Sequence, residues 1–434
     1  MCDALTPIMK KITLQTTIAI TAAIASSQLL ANGYALNEQS ISAMGTGFAG
    51  RASSADDAST VFGNPAGMSR LKRQQVTGGI AAIDSKSDIS NANGNRVGTN
   101  NGDMVPFTTV PMGFYVTPLD DKWTFGLGVY TPFGLNTEYE STFQGRNFGS
   151  KSKIKVVTFQ PTISYAFNDN VSIGFGPTIN RISSTLESSF KTAFSPNDGQ
   201  VRIKGDDIGY GYNFGLLVQA SETTRVGLTY HSKVNYTLKG NTSVIPGAGT
   251  PAPVLLAGRY EASLKIQTPE SWDLSVTQQL NHAWTLYAGT TWARWSRMKN
   301  ITVNNANVTG GALAPDAFTT ITEEQNLRDT WTYSIGTSYQ LNKQWMLRTG
   351  LTFDQSPTNN IDRSPRMPTG DRTILSLGAG WSPTEDLTID VAYFYRKEEK
   401  VSVNNSNQFP FGQTYSADYK NSANGLGIGA TYRF

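Results

Sequence analysis

From Val76 to the carboxy terminus the chain repeats one pattern, with apolar residues on one parity and small or polar residues on the other. Trp123, Phe125, Leu127 and Val129 alternate with Thr124, Gly126 and Gly128; Trp331, Tyr333 and Ile335 alternate with Thr330, Thr332 and Ser334. Trp345, Leu347 and Leu351 alternate with Arg348 and Gly350, and Leu387, Ile389, Val391, Tyr393 and Tyr395 with Thr388, Asp390 and Arg396. A period of two marks strands with two unlike faces. In a soluble sandwich the inner face is aliphatic and the outer one meets water. Here one face carries aromatics suited to lipid and the other carries Gly, Ser, Thr and charge, which predicts an all-β transmembrane barrel with a polar interior.

The connections sharpen that reading. Short turns fall at Pro118 to Asp121, Asn168 to Asn170, Ser221 to Thr224, Asn281-His282, Asn342-Lys343 and Thr384 to Asp386, and long irregular segments at 84–106, 135–152, 187–205, 241–258, 304–325, 356–371 and 402–420. Short and long alternate, as periplasmic turns and outer loops do in outer-membrane barrels, and the count between them is about fourteen antiparallel strands with both termini periplasmic. Trp123, Trp284, Trp345 and Trp381 each stand beside a short turn, where an interfacial aromatic belt belongs. The last strand places Leu426, Ile428, Ala430, Tyr432 and Phe434 on one face, with Gly425, Gly427 and Gly429 on the other. Its terminal Phe resembles the signal read by the outer-membrane assembly machinery.

The N-terminal residues break the pattern. Residues 32–72 are rich in Gly, Ala and Ser, with Ile41, Met44 and Phe48 at helical spacing, and predict a compact, partly helical plug before a barrel at 73–434. Residues 1–31 read as an export signal: Lys10 and Lys11, then the apolar Ile18 to Ala25, then Ala31 as a small residue for cleavage. The residues before Met9 are not needed for this reading. Cys2, the sole cysteine, leaves with the signal, so neither disulfides nor a Cys-based metal site are expected.

Composition then removes other classes. With 41 Gly, 18 Tyr, 20 Phe and 8 Trp in 434 residues, 16% charged residues and a mean hydropathy of -0.31, the chain is too aromatic for disorder and too polar for a helical membrane protein. Past the N-terminus no apolar run reaches the roughly 18 residues of a helical span. The net charge of +3 is scattered, so nucleic acid is not an expected partner. His231 and His282 have no triad or metal spacing around them, and no glycine run opens a helix as a phosphate loop does, so neither an enzyme nor a cofactor is expected.

Several short segments together resemble the FadL-type outer-membrane transporters of long-chain fatty acids and other hydrophobic compounds. They are Leu36-Asn37-Glu38, Ala55 to Ala58, Asn64 to Gly67, Phe133 to Leu135 with Thr137, Ser232 to Val234, Pro269-Glu270 with Trp272, Arg328-Asp329, Arg348 to Gly350, Asp354 with Ser356-Pro357, and Pro368 with Asp371-Arg372. The resemblance implies a fourteen-stranded barrel plugged by an N-terminal hatch that includes Tyr34 and Asn64-Pro65-Ala66. It also implies a kink in the third strand that opens the wall sideways. That strand starts at Trp123 and runs into Thr131-Pro132-Phe133-Gly134, where a missing N–H and a permissive Gly predict an interruption on chemistry alone. The alternative is that Pro132 ends the strand at the outer rim.

A long alkyl chain carries about 0.8 kcal/mol per methylene into an apolar site, on the order of 13 kcal/mol for about sixteen, so an aqueous pore would be a poor route. Apolar capture is expected at the outer loops, from Phe190 and Phe194 in 187–205 and from Val244, Ile245, Val254, Leu255 and Leu256 in 241–258. A carboxylate headgroup would need a cation. Alternation sends Arg328, Lys233, Lys265 and Arg348 into the lumen; Arg328 matches a family position tied to headgroup binding, and Arg181 lies near a second but on the outward parity. Each also fits a lumen salt-bridge network with Glu261, Asp273, Asp354 or Asp390. The expected function is fatty-acid uptake past the hatch and out through the third strand, with uncharged or aromatic hydrocarbons, or a surface receptor or adhesin role, as alternatives. Outer-membrane lipid and lipopolysaccharide are the expected surroundings.

Overall fold

The protein is described as a computed structural model covering residues 33–191, 195–250, 258–308, 319–406 and 412–434. The export signal, Phe194 and Val254 to Leu256 lie outside the described residues. The strands are β1 (Gln75–Gly94), β2 (Thr108–Pro118), β3 (Trp123–Glu138), β4 (Lys151–Ala166), β5 (Val171–Phe190), β6 (Gly199–Gln219), β7 (Thr224–His231), β8 (Val234–Ile245), β9 (Gly258–Thr268) and β10 (Ser271–Gln279). They continue as β11 (Trp284–Ala293), β12 (Asn300–Asn305), β13 (Thr320–Glu324), β14 (Thr330–Gln340), β15 (Trp345–Asp354), β16 (Arg372–Trp381), β17 (Leu387–Glu398), β18 (Val401–Ser406) and β19 (Thr414–Arg433). The pairs β7/β8, β9/β10, β11/β12, β13/β14 and β17/β18 are each one stave interrupted near its middle, which leaves a closed antiparallel barrel of fourteen staves. Closure is made by β1 on β19, from Gln75 opposite Arg433 to Gly94 opposite Tyr415.

The two faces follow the alternation. Ile80, Leu351, Leu375, Leu426 and Ile428 stand exposed on the outside, while Thr229, Thr352, Ser376 and Thr431 are buried within. At the short-turn end, Trp123 packs on Tyr165, Trp284 on Tyr339 and Trp345 on Trp381 in an external aromatic row. The turns themselves aim these rings. Asp120, Asn281 and Asn342 each accept the backbone N–H two and three residues on, and the third residue is the Trp in every case.

At the other end the strands run further than the irregular segments predicted. β1 continues to Gly94, β3 to Glu138, β8 to Ile245 and β18 to Ser406, because ladder bonds continue across positions whose side chains no longer need to be apolar. One predicted loop, 356–371, turns inward instead of projecting. Ser356, Thr358, Arg363 and Thr369 are buried, Tyr139 Oη donates to Pro365 O at 2.7 Å, and Arg366 Nη1 donates to Ser152 Oγ at 2.9 Å.

Residues 33–71 fill the opposite half of the lumen. A one-turn helix at Ile41–Gly45 is capped by Ser40, whose hydroxyl accepts from Ala43 N, and a 3₁₀ helix at Pro65–Arg70 is capped by Asn64, which accepts from Ala66 N at 3.0 Å. Pro at the first helical position has no N–H to leave unsatisfied. Ile41 and Met44 lie on the first helix as predicted; Phe48 is buried beyond it, with a φ of 62° after the helix has ended. The inward glycines admit this segment: a Cβ at Gly227 would sit 1.8 Å from Ala52 O, and one at Gly427 would sit 2.8 Å from Ile41 Cδ1.

Candidate functional site: a hatch-lined chamber beside a broken wall

β3 carries the interruption. Its ladder with β4 is continuous from Trp123 to Tyr130 and again from Phe133 to Glu138, but Thr131 and Pro132 stand opposite Val157 alone, which is a bulge of one extra residue. On the other edge the β2–β3 ladder runs from Pro118–Thr124 to Gly113–Val129 and goes no further. Beyond Val129 the chain pairs with the hatch instead. Leu36 N donates to Pro132 O at 2.8 Å and Gly134 N to Tyr34 O at 2.7 Å. One residue before Pro132, the Gln39 side-chain amide donates to Thr131 O at 2.7 Å and accepts from Thr131 N at 3.3 Å, so one fully buried side chain occupies both ladder groups of a residue at the break. Pro132 therefore does not end β3 at the rim; the strand continues six residues past it.

A chamber of about 90 Å³ lies next to this break. Its aromatic wall is Phe133, Trp295, Phe62 and Tyr130, with Ala35, Leu36 and Asn37 of the hatch on one side and Ser232, Val234, Thr268 and Pro269 on the other. Those last four come from the interruptions of adjacent staves, so the chamber sits where several ladders are broken together. Tyr34 meets Trp295 at 4.8 Å and Phe133 at 5.8 Å between ring centroids, both edge to face, and Tyr34 Oη donates to Gln267 O at 3.1 Å. Phe62 packs on Tyr130 at 5.0 Å and His231 at 5.1 Å.

His231 Nε2 and Tyr236 Oη, which also line it, are buried without a hydrogen-bond partner, but the charged group beside it is paired. Arg51 reaches Asp273 at 2.5 Å, Thr291 Oγ1 at 3.0 Å and Asn37 Oδ1 at 3.0 Å, tying the hatch to β10 and β11. Asn64 Nδ2 donates to Ala52 O at 2.6 Å and Leu216 O at 3.0 Å, and Ala66 O accepts from Ser172 Oγ at 2.9 Å. Elsewhere in the lumen Arg348 pairs with Asp390 at 2.5 Å, and Arg372 with Glu398 at 3.0 Å and Asp354 at 3.5 Å.

The basic candidates are dispersed. Lys265 lies outside the barrel, exposed between Leu264 and Ile266, and not in the lumen; the buried positions on β9 are Tyr260, Ala262, Leu264 and Thr268. Lys233 shares the outward parity of Asn235, Thr237 and Lys239, while its neighbours Ser232 and Val234 line the chamber. The single-residue bulge between His231 opposite Asn213 and Lys239 opposite Asp206 defeats simple alternation there. Arg181 points outward, 71% exposed, 3.6 Å from Asp206. Arg328 sits in the β13–β14 interruption, donating Nε to Ser356 O at 3.0 Å with Asp371 3.4 Å away, and does not line the chamber. Of the apolar capture candidates, Val244 is buried with Val201 and Tyr260, Phe190 packs on that cluster, and Ile245 is exposed. Gln39, Arg51, Phe62 and Trp295 were not singled out by sequence, and no local pattern marks them.

A closed lipid-facing cylinder with an internal plug and a chamber against a broken stave defines a class: plugged outer-membrane transport barrels. Over residues 22–434 the chain matches the outer membrane protein transport protein family (OMPP1/FadL/TodX), and it belongs to that family. It is 28% identical over 410 residues to the long-chain fatty acid transport protein of Salmonella typhi, covering 89% of this chain and 92% of the other. A FadL homologue of Pseudomonas aeruginosa superposes with a TM-score of 0.81 at 26% identity, over 93% of this chain and all of that one. The Ralstonia pickettii toluene transporter TbuX shares the fold, with a TM-score of 0.63 at 19% identity over 87% and 94% of the two chains.

Proposed function

We propose that the protein takes up long-chain fatty acids, capturing them at its long-loop end, passing them beside the hatch, and releasing them sideways between β2 and β3. The observation that carries this reading is the end of the β2–β3 ladder at Val129 together with the hatch's occupation of the freed β3 edge. A barrel wall costs unsatisfied backbone groups wherever it opens in lipid. Here Leu36, Gln39 and Tyr34 satisfy those groups from inside, so the opening is sustained by the plug itself. On this reading residues 1–31 are an export signal, both ends of the mature chain are periplasmic, and the short-turn end faces the periplasm. The fatty-acid assignment leans on the curated relative; outer-membrane transport itself follows from the family.

Deleting Pro132 tests the route. It removes the extra residue, restores register with β4 and should abolish oleate uptake in a folded, membrane-inserted barrel. Wild-type uptake by that variant would sink lateral release. Arg328→Ala should weaken binding of the acid more than that of its neutral alcohol; an unchanged ratio removes Arg328 from headgroup binding.

One observation favours a second reading. The chamber's nearest guanidinium, Arg51, is already paired with Asp273, so the chamber itself presents an aromatic and electrically compensated surface. An uncharged hydrocarbon would lose nothing by that. Competition between oleate, toluene and a long-chain alcohol for uptake separates the two.

A further inference from the structure

One side of the barrel carries a concentration of outward cations at the upper edge of its lipid-facing band. On β4 the exposed Phe159 and Ile163 lead up to Lys155 and Lys153, and on β5 Phe175 and Ile179 lead to Arg181. On β6, Tyr212, Tyr210 and Ile208 give way to Asp206 and Lys204; β8 and β9 add Lys239 and Lys265. The register makes these neighbours: Thr185 stands between Lys153 and Lys204, Ser183 between Lys155 and Asp206, Asp206 opposite Lys239, and Lys265 opposite Thr237. Five adjacent strands at about 4.8 Å make a patch on the order of 20 Å wide.

The heights are informative. Lys155 is ten residues from Tyr165 and Arg181 ten from Val171, near the short-turn end of their strands. At about 3.3 Å per residue and a tilt of roughly 40°, that is about 25 Å, the height of the apolar band of such barrels. Lys204, Lys239 and Lys265 stand about 10 Å further out. Asp206 and Glu261 are the carboxylates among them, and the Arg181–Asp206 contact at 3.6 Å is loose and solvent-exposed. Across the barrel, on β1, β17 and β19, the same level alternates in sign through Asp84, Lys86, Asp88, Lys397 and Lys420. The cationic patch is thus a property of one face and not of the rim.

We propose that this face binds the phosphomonoesters of a phosphorylated glycolipid of the outer leaflet, lipopolysaccharide, with its acyl chains against Phe159, Ile163, Phe175 and Ile179. Two tiers of ammonium groups at a membrane boundary match two phosphates carried on one headgroup, and ammonium–phosphate hydrogen bonds are charge-assisted. The proposal rests on the outer-membrane reading above. The folded protein in detergent is titrated with bisphosphorylated lipid A, its monophosphorylated form, a dephosphorylated glycolipid and phosphatidylglycerol, with binding read by native mass spectrometry. Lys153→Gln/Lys204→Gln/Lys239→Gln/Lys265→Gln should bind bisphosphorylated lipid A at least tenfold more weakly than the wild type, and the wild type should rank the lipids by phosphate number. Equal binding by the variant, by the dephosphorylated glycolipid or by phosphatidylglycerol overturns the proposal. So does an equal loss in Lys86→Gln/Lys397→Gln/Lys420→Gln. Gel migration of the folded barrel and oleate uptake are followed in the same variants, so a failed transport reading is told apart from a failed lipid site.

Discussion

Replacing Gln39 by Ala removes the side chain that satisfies both ladder groups of Thr131, and its effect is calculable. Gln39 is fully buried, and its amide gives Thr131 O a donor at 2.7 Å and Thr131 N an acceptor at 3.3 Å. Each buried backbone group left unpaired costs about 1–3 kcal/mol, so the upper bound for two is roughly 6 kcal/mol. The adjoining chamber has room for water, which brings the expectation down to about 2 kcal/mol. Because every 1.4 kcal/mol is tenfold, local opening of the hatch–β3 contact should become about thirtyfold more populated. Hydrogen exchange read by mass spectrometry should then show faster exchange in segments 34–41 and 130–138, with the β15–β16 ladder unchanged. Unaltered exchange at 130–138, or a uniform rise across all staves, would refute the idea that the plug completes the wall.

Three other outcomes are expected. Arg51→Ala leaves Asp273 buried without its cation and should loosen the hatch by about 3–5 kcal/mol, seen as faster proteolysis within 33–71; Arg51→Met with Asp273→Leu should recover most of the loss. Trp295→Ala should cost about 3–5 kcal/mol in a heat-denaturation assay and be partly rescued by toluene filling the enlarged chamber. At the long-loop end, burial pushes the Asp198 carboxyl up, but hydrogen bonds from Arg96 and Arg146 more than offset this and hold it below the ordinary carboxylate range. A depressed folded pKa contributes stability that is present above the unfolded value of about 3.9 and lost as pH falls through the lowered one. Exchange in segment 95–100 should therefore rise on acidification below about pH 4, and Asp198→Asn should remove that dependence.

How far the site was legible depended on which kind of information each part needed. Pro132 and Gly134 are backbone specialists, and their chemistry marks an interruption wherever they stand in a strand. The lumen cations were harder, because parity is reliable only while a ladder is unbroken. Lys233 lies within the interruption between β7 and β8, where one extra residue breaks the count, so alternation does not assign it a face. Counting also failed for Lys265 in β9, next to the interruption at Pro269-Glu270. Gln39 and Trp295 give no local signal of their role, since a polar residue in a plug and an aromatic between strands are each ordinary until their partners are known.

The period-two pattern, the Asx turns that aim tryptophans at an interface and the short-long rhythm of connections depend on neighbours within a few residues, and sequence alone determined them, and with them the barrel, its stave number and its plug. What meets the interrupted strand was decided by tertiary structure. The freed edge of β3 is met by residues some ninety positions away, and the chamber is assembled from interruptions in strands that touch only after the sheet has curled on itself. Hydrogen-bond satisfaction in a membrane is a closed-sum condition over the whole barrel, so no single segment carries the information about which group will complete it.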